Sequence, residues 1–212
     1  MTFRYLPGKT VEVPDLPYKE HVDLAGEKTA LIIVDMQHDF VTTGGKLVVP
    51  AAKDTVPAIR NLLRQARAAN VKIVYTQDTA YPDDREFEIW PQHCLIHTHG
   101  WQIIDDLLPE KWDLVCQKNR YDGFYGTWLD HFLDKVWHVE NVVIVGTVSN
   151  ICVLHTAASA GLRWYHVVMP ADGISAYTEF DQALTLHQVG SLYNGSIVKS
   201  MKDITFNATE VN

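Results

Sequence analysis

This 212-residue chain is poor in cysteine, in basic clusters and in long apolar runs, and each shortage removes a class of protein. Its three cysteines, Cys94, Cys116 and Cys152, form an odd set without C-x-x-C spacing. Neither a disulfide framework nor a structural zinc site follows from such a set, and the thiols are expected to be reduced. The formal net charge of −8 comes with no run of Lys or Arg. Nucleic acid and anionic lipid both require a positive footprint, so neither is an expected partner, and a small-molecule substrate is. No apolar stretch approaches the roughly 18 residues of a membrane span, and the opening MTFRYLPGKTVEVPDLPY has prolines and charges where a secretory signal carries an apolar run. The expectation is a cytoplasmic protein.

What is present is ordinary for a globular chain, with 47% hydrophobic and 21% charged residues. The length suits one domain spanning residues 1–212, entered by an irregular arm over 1–27. Apolar runs at Ala30 to Val34, Val71 to Thr76, Leu114 to Cys116, Val142 to Val145, His166 to Met169 and Ser196 to Val198 read as strands. Helical spacing separates them: Val56, Ile59, Leu63 and Ala66, then Trp128, Phe132 and Val136, then Val153 to Leu162, then Asp181 to Leu192. A short helix is expected near Ile103 to Leu108, after a long loop over Asp78 to Trp101. Strands alternating with helices predict an α/β fold with a parallel sheet.

In such a sheet, ligands bind beyond the carboxyl ends of the strands, so polar residues at those ends carry the interest. Asp35 ends the first strand, Lys118 ends the third, and Cys152 lies just past the fourth, where a helix begins. A helix N-terminus lowers a thiol pKa and can hold a developing oxyanion. Taken singly, Asp35 reads as a cap or turn residue, Lys118 as a solvated strand end and Cys152 as a small core hydrophobe. Their shared edge favours chemistry instead: a carboxylate can take the thiol proton while a cation stabilises the charge.

Four motifs then resemble the isochorismatase-like cysteine hydrolases, especially their nicotinamidase branch. They are Ile32-Ile33-Val34-Asp35-Met36-Gln37-His38-Asp39-Phe40, Ile89-Trp90-Pro91-Gln92-His93-Cys94, Lys118-Asn119-Arg120-Tyr121 with Phe124-Tyr125-Gly126-Thr127, and Gly146-Thr147-Val148-Ser149-Asn150-Ile151-Cys152-Val153. The resemblance spans roughly Thr29 to Met201. It implies a Rossmann-like three-layer fold with a six-stranded parallel sheet and an Asp35, Lys118, Cys152 triad. It also implies an oxyanion hole from the N–H groups of Val148 and Cys152, and a cis peptide between Thr147 and Val148. Phe40, Trp90 and Tyr125 match positions that line the family's pocket. Members usually associate, so a homo-oligomer is expected, with the apolar arm Tyr5 to Leu24 as one possible surface.

One motif departs from the branch. Nicotinamidases resembling this chain hold a divalent metal through an Asp-x-His pair and the His of Trp-Pro-x-His-Cys. The matching residues are Asp78, Ala80 and His93, and alanine cannot coordinate. Zinc takes three or four protein ligands. Two readings stay open: zinc, iron or manganese on Asp78 and His93 completed by Asp83, Asp84, Glu86, Glu88, His97 or His99, or a metal-free pocket. No organic cofactor is expected. The activity so implied is a cysteine amidohydrolase, with nicotinamide as the first substrate. A metal-independent hydrolase of a carbamoyl or ureido compound such as biuret, N-carbamoylsarcosine or ureidoacrylate is the alternative. Isochorismatase-type vinyl-ether hydrolases work without the cysteine, so Cys152 argues against that branch, and the intact triad argues against a non-catalytic binding protein. Gln37, His38 and Asp39 are expected to order the turn after the first strand, and Cys94, Cys116 and His155 to be structural.

Overall fold

A computed structural model of the chain describes residues 12–207. The arm residues 1–11 thus lie outside the described residues, together with most of the apolar surface that begins at Tyr5. From Tyr18 onward the arm is ordered: β1 (Tyr18–Lys19) and β2 (Val22–Ala25) precede a single turn of 3-10 helix at Gly26–Lys28. This corrects the expected irregular arm. Val22 and Leu24 alternate with Asp23 and Ala25, bury their side chains, and pair in parallel with the last strand. Buried in their own chain, those two are not free to serve as an association surface.

The remaining elements are β3 (Thr29–Val34), α1 (His38–Val41), α2 (Ala52–Ala68), β4 (Lys72–Asp78), β5 (Leu114–Lys118), β6 (Asn141–Thr147), α3 (Leu154–Leu162), β7 (His166–Pro170), β8 (Ile174–Ser175), α4 (Glu179–Leu192), β9 (Ser196–Val198) and β10 (Ile204–Asn207). All six expected strands form. They lie in the order β9-β7-β6-β3-β4-β5, every neighbouring pair parallel, with β1 added outside β9 and the two-residue β8 beside β6. The central sheet is therefore the expected six strands enlarged by two short ones. The expected helix at Trp128 to Val136 is a π-helical turn over His131–Val136, and that near Ile103 is a 3-10 turn at Asp105–Leu107.

Unbroken apolar runs in β3 and β6 follow from burial on both faces. Leu31, Ile33, Val143 and Val145 point into one core with Ile59, Leu62 and Leu63 of α2. Ala30, Ile32, Val142 and Ile144 point into the other, against Ala157 and Ala160 of α3 and Leu186 of α4. The fold is thus a three-layer α/β arrangement with helices on both faces.

The strand order reverses between β3 and β6, where chain connections leave to opposite sides and open a crevice at the carboxyl ends. Register sets what meets there. Val34 lies opposite Gly146, so Asp35 comes level with Thr147, while Asp78 lies opposite Lys118. Gly146 is required at that crossing: its φ is +117°, and a Cβ would sit 2.2 Å from the Val34 carbonyl oxygen.

Candidate active site

The crevice brings Asp35, Lys118 and Cys152 together, and all three are buried. Lys118 is the centre. Its Nζ lies 2.7 Å from Asp35 Oδ2, 3.3 Å from Asp78 Oδ1 and 3.4 Å from Cys152 Sγ. A lysine sealed from water needs such company, because an isolated ammonium there would cost several kcal/mol. Burial opposes its charge, but the carboxylates of Asp35 and Asp78 win and hold its pKa well above the usual value.

The same burial acts on the other members. It raises the Asp35 carboxyl above the ordinary carboxylate range, with Lys118 opposing the shift. Burial likewise pushes the Cys152 thiol well up, again against Lys118. Asp78 shares that burial, yet Lys118 and His93 hold its pKa down. The floor therefore holds one fixed cation, one fixed anion at Asp78, and a proton to be shared between a raised carboxyl and a raised thiol.

Local structure fixes these side chains. Asp35 takes the left-handed conformation at φ 52°, which turns the chain sharply as β3 ends, and Thr76 Oγ1 donates to its Oδ1 at 2.7 Å. Cys152 lies in a π-helical turn, Ser149–Val153, that leads into α3, and the Thr147–Val148 peptide is cis. Val148 and Cys152, the two residues expected to supply the oxyanion hole, both line the cavity above the thiol.

That cavity is small and tightly closed around the thiol, with about 20 Å³ open to water, which limits it to a compact ligand. Phe40 and Trp90 line it as expected. Tyr125 does not: it follows a turn closed by Asp122, is 67% exposed, and stands away from the cavity wall. Tyr121, four residues earlier in the same motif, takes the place expected of Tyr125, and its hydroxyl receives Trp90 Nε1–H at 3.0 Å. Tyr177 and Glu86 complete the wall. No pattern in the sequence marks Tyr177, and Glu86 stands out there only as one of several possible metal ligands.

Asp78 and His93 also meet, with Nε2 3.3 Å from Asp78 Oδ2. They do not fit a divalent-metal site. His93 Nδ1 faces the Pro91 carbonyl oxygen at 2.7 Å, so both ring nitrogens address acceptors, and Asp78 spends its other oxygen on Lys118. Burial disfavours the imidazolium, but hydrogen bonds to Asp78 and Pro91 raise the His93 pKa and favour it, which is the wrong form for a ligand. Ala80 contributes a methyl group, and among the described residues no third His, Cys, Asp or Glu converges on the pair. Asp78 and His93 thus bond to each other in the cavity wall.

The turn residues do more than order the turn. Gln37 exchanges hydrogen bonds with the Asp78 backbone at 2.8 Å in both directions and donates to the Trp101 carbonyl, clamping both ends of the 78–101 loop. Asp39 accepts the Cys94 and Lys46 N–H groups. Cys94 and Cys116 are buried with raised pKa values, that of Cys116 at about 11, consistent with structural roles. His155 caps back onto the Ile151 carbonyl.

With the site assembled, the comparisons with known proteins decide the family. The isochorismatase domain model matches residues 29–199. The chain belongs to the isochorismatase family. Within the family it is 29% identical to the ureidoacrylate amidohydrolase RutB of Rhizobium rhizogenes over 88% of this chain and 85% of the relative. It is also similar to the structure of N-carbamoylsarcosine amidase from Thermoplasma acidophilum, with 34% identity, 81% of this chain, 95% of that chain and a TM-score of 0.74. The zinc complex of Pyrococcus horikoshii pyrazinamidase superposes with a TM-score of 0.76 at 28% identity, covering 81% and 98% of the two chains. As an isochorismatase-family chain it is a hydrolase of three-layer α/β fold with amidohydrolase relatives. Among its described residues no helix is long and apolar enough to cross a membrane.

Proposed function

We propose that this isochorismatase-family protein is a metal-independent cysteine amidohydrolase that cleaves the terminal C–N bond of a small planar carbamoyl or ureido compound. The observation that carries it is Lys118 Nζ placed between Asp35 Oδ2 and Cys152 Sγ, at 2.7 and 3.4 Å, beneath a small cavity. Asp35 accepts the thiol proton as Sγ attacks the carbonyl carbon, and Lys118 stabilises the negative charge on either partner. The tetrahedral oxyanion is met by the N–H groups of Val148 and Cys152, an arrangement for which loss of one donor elsewhere costs about 3 kcal/mol. Asp35 returns the proton to the leaving nitrogen, ammonia departs and an S-carbamoyl thioester (a thiocarbamate) remains on Cys152. A water deprotonated by Asp35 then attacks the thioester carbonyl, and the thiol re-forms as the acid leaves.

The ureido class is favoured over nicotinamide by the wall of the cavity. Asp78 and His93 bond to each other there, and among the described residues the pair lacks the third ligand of the metal site that the nicotinamidase branch uses. Nicotinamide ranks second, supported by the flat faces of Phe40 and Trp90 beside the thiol. The test is an ammonia-release screen over biuret, N-carbamoyl amino acids, nicotinamide and pyrazinamide, with the thioester sought by mass spectrometry after rapid quench. Turnover of a ureido compound through a Cys152-linked acyl adduct is the expected result. Release undiminished in Cys152→Ala would overturn the covalent route.

A further inference from the structure

Outside the triad, the side chain least explained by the chemistry above is Glu86. It sits in the cavity wall beside Tyr121, Trp90 and His93, on a short 3-10 turn at Arg85–Glu88 whose N-terminal residue, Asp84, accepts the Glu86 N–H. Its side chain is only 11% exposed, and of the two acidic groups of the wall, Asp78 and Glu86, it has the looser ion pair. Asp35 and Asp78 are matched by Lys118 and by His93, held between Asp78 and the Pro91 carbonyl. Arg120 approaches Glu86 no closer than 3.8 Å, and is committed to Asp84 at 3.1 Å on the exposed rim.

Counting formal charges, Lys118 and His93 balance Asp35 and Asp78, and Arg120 balances Asp84. Glu86 is left over, and a neutral His93 would only deepen the excess. No Lys or Arg lines the cavity among the described residues. A substrate anion entering here would meet a buried carboxyl whose nearest cation, Arg120, is 3.8 Å away on the rim and whose pKa burial and Asp78 already raise, so a further negative charge is disfavoured beside it.

We infer that Glu86 is a specificity residue that excludes substrates bearing a carboxylate at the end remote from the scissile bond and accepts an N–H donor there. The inference rests on the amidohydrolase reading and narrows it: the preferred compound is uncharged or cationic at its far end, as biuret is. This sets the protein apart from its relatives, because ureidoacrylate and N-carbamoylsarcosine are both carboxylates. Glu86 acts by accepting the far-end N–H, and the neighbouring Tyr121 hydroxyl, already an acceptor for Trp90, orients with it.

Succinamide and succinamate test this, since they differ only in replacing a terminal amide nitrogen by a carboxylate oxygen. The readouts are kcat/KM from ammonia release and Kd for the Cys152→Ala variant by calorimetry. Succinamide is expected to be favoured at least about tenfold in both, and Glu86→Gln to close most of that gap by improving succinamate. Equal values, a preference for succinamate through a swung Arg120, or a gap unmoved in Glu86→Gln would each overturn the inference while leaving the amidohydrolase reading intact. Binding in the expected order with no turnover of these compounds or of biuret would uphold the inference and sink the amidohydrolase reading. Neither binding nor turnover of either compound would overturn both.

Discussion

Asp35, Lys118 and Cys152 stand at the ends of three parallel strands, whereas Glu86, Trp90 and His93 come from the irregular chain between β4 and β5. The first group is fixed by sheet register, a left-handed turn and mutual charge; Asp78, the last residue of β4, faces Lys118 and ties the two groups together. The second is held by a few side-chain clamps, chiefly Gln37 and Asp39. The difference teaches a division of labour: the reacting groups belong to the scaffold, and the groups that choose the substrate belong to a loop that can vary without disturbing them.

The sharpest way to break that division is at its reacting atom. Cys152→Ala removes the nucleophile and little volume from the floor, so activity should fall about 10⁴-fold or more with the thermal transition nearly unmoved. Initial rates and calorimetry on the same preparation check it. Lys118→Met should instead damage both. It leaves Asp35 and Asp78 facing each other in the interior, and removing one partner of a buried ion pair costs about 3–5 kcal/mol. Chemical denaturation should show that loss, and adding Asp35→Asn should restore part of the stability without any activity. If Lys118→Met is as stable as the parent, the cation is not the keystone of the floor.

The wall is probed through pH. The folded state raises the His93 pKa, so its pairing with Asp78 stabilises the protein below the unfolded histidine value of about 6.5 and is lost as pH climbs through the folded value. Stability should therefore decline on moving upward from near neutrality, and His93→Gln should flatten that limb. Asp35 has the opposite sign to an ordinary paired carboxylate. Its raised pKa means that ionisation opposes folding, so Asp35→Asn should flatten the fall of stability above the unfolded value of about 3.9 while lowering stability overall, because Lys118 loses its nearest partner. Denaturation midpoints across the range decide both.

How far each region was legible follows from the same physics. Two-sided burial leaves an apolar run in β3, β4, β6, β7 and β9, and the edge strand β5 keeps a shorter one at Leu114 to Cys116, so all six could be read directly; Asp35 and Lys118 beside two strand ends and Cys152 past a third drew attention to the triad. The arm misled because two-residue and four-residue strands carry too little pattern; only Val22 and Leu24 betray β2. Tyr125 misled because motif position cannot say which way a side chain leaves a turn, and the turn at Asp122 sends Tyr121 inward instead. Glu86 and Tyr177 approach the thiol through tertiary folding alone, from loops whose spacing has no period.

The smallest expected effect is also the one that most directly separates this wall from the zinc-bound pyrazinamidase it resembles in fold. Dialysis against dipicolinate should alter the rate by less than about twofold, and subsequent zinc should not appear at one equivalent in elemental analysis, because two side chains fall short of the three or four that zinc requires. His93 decides the outcome. To ligate, its Nε2 would have to give up the proton it directs at Asp78 and turn the freed lone pair to a metal, while Nδ1 keeps its proton on the Pro91 carbonyl. A stoichiometric metal with a matching gain in rate would show that the wall reorganises more readily than its ion pair allows, and the division between a fixed floor and a selective wall would have to be redrawn around a shared ion.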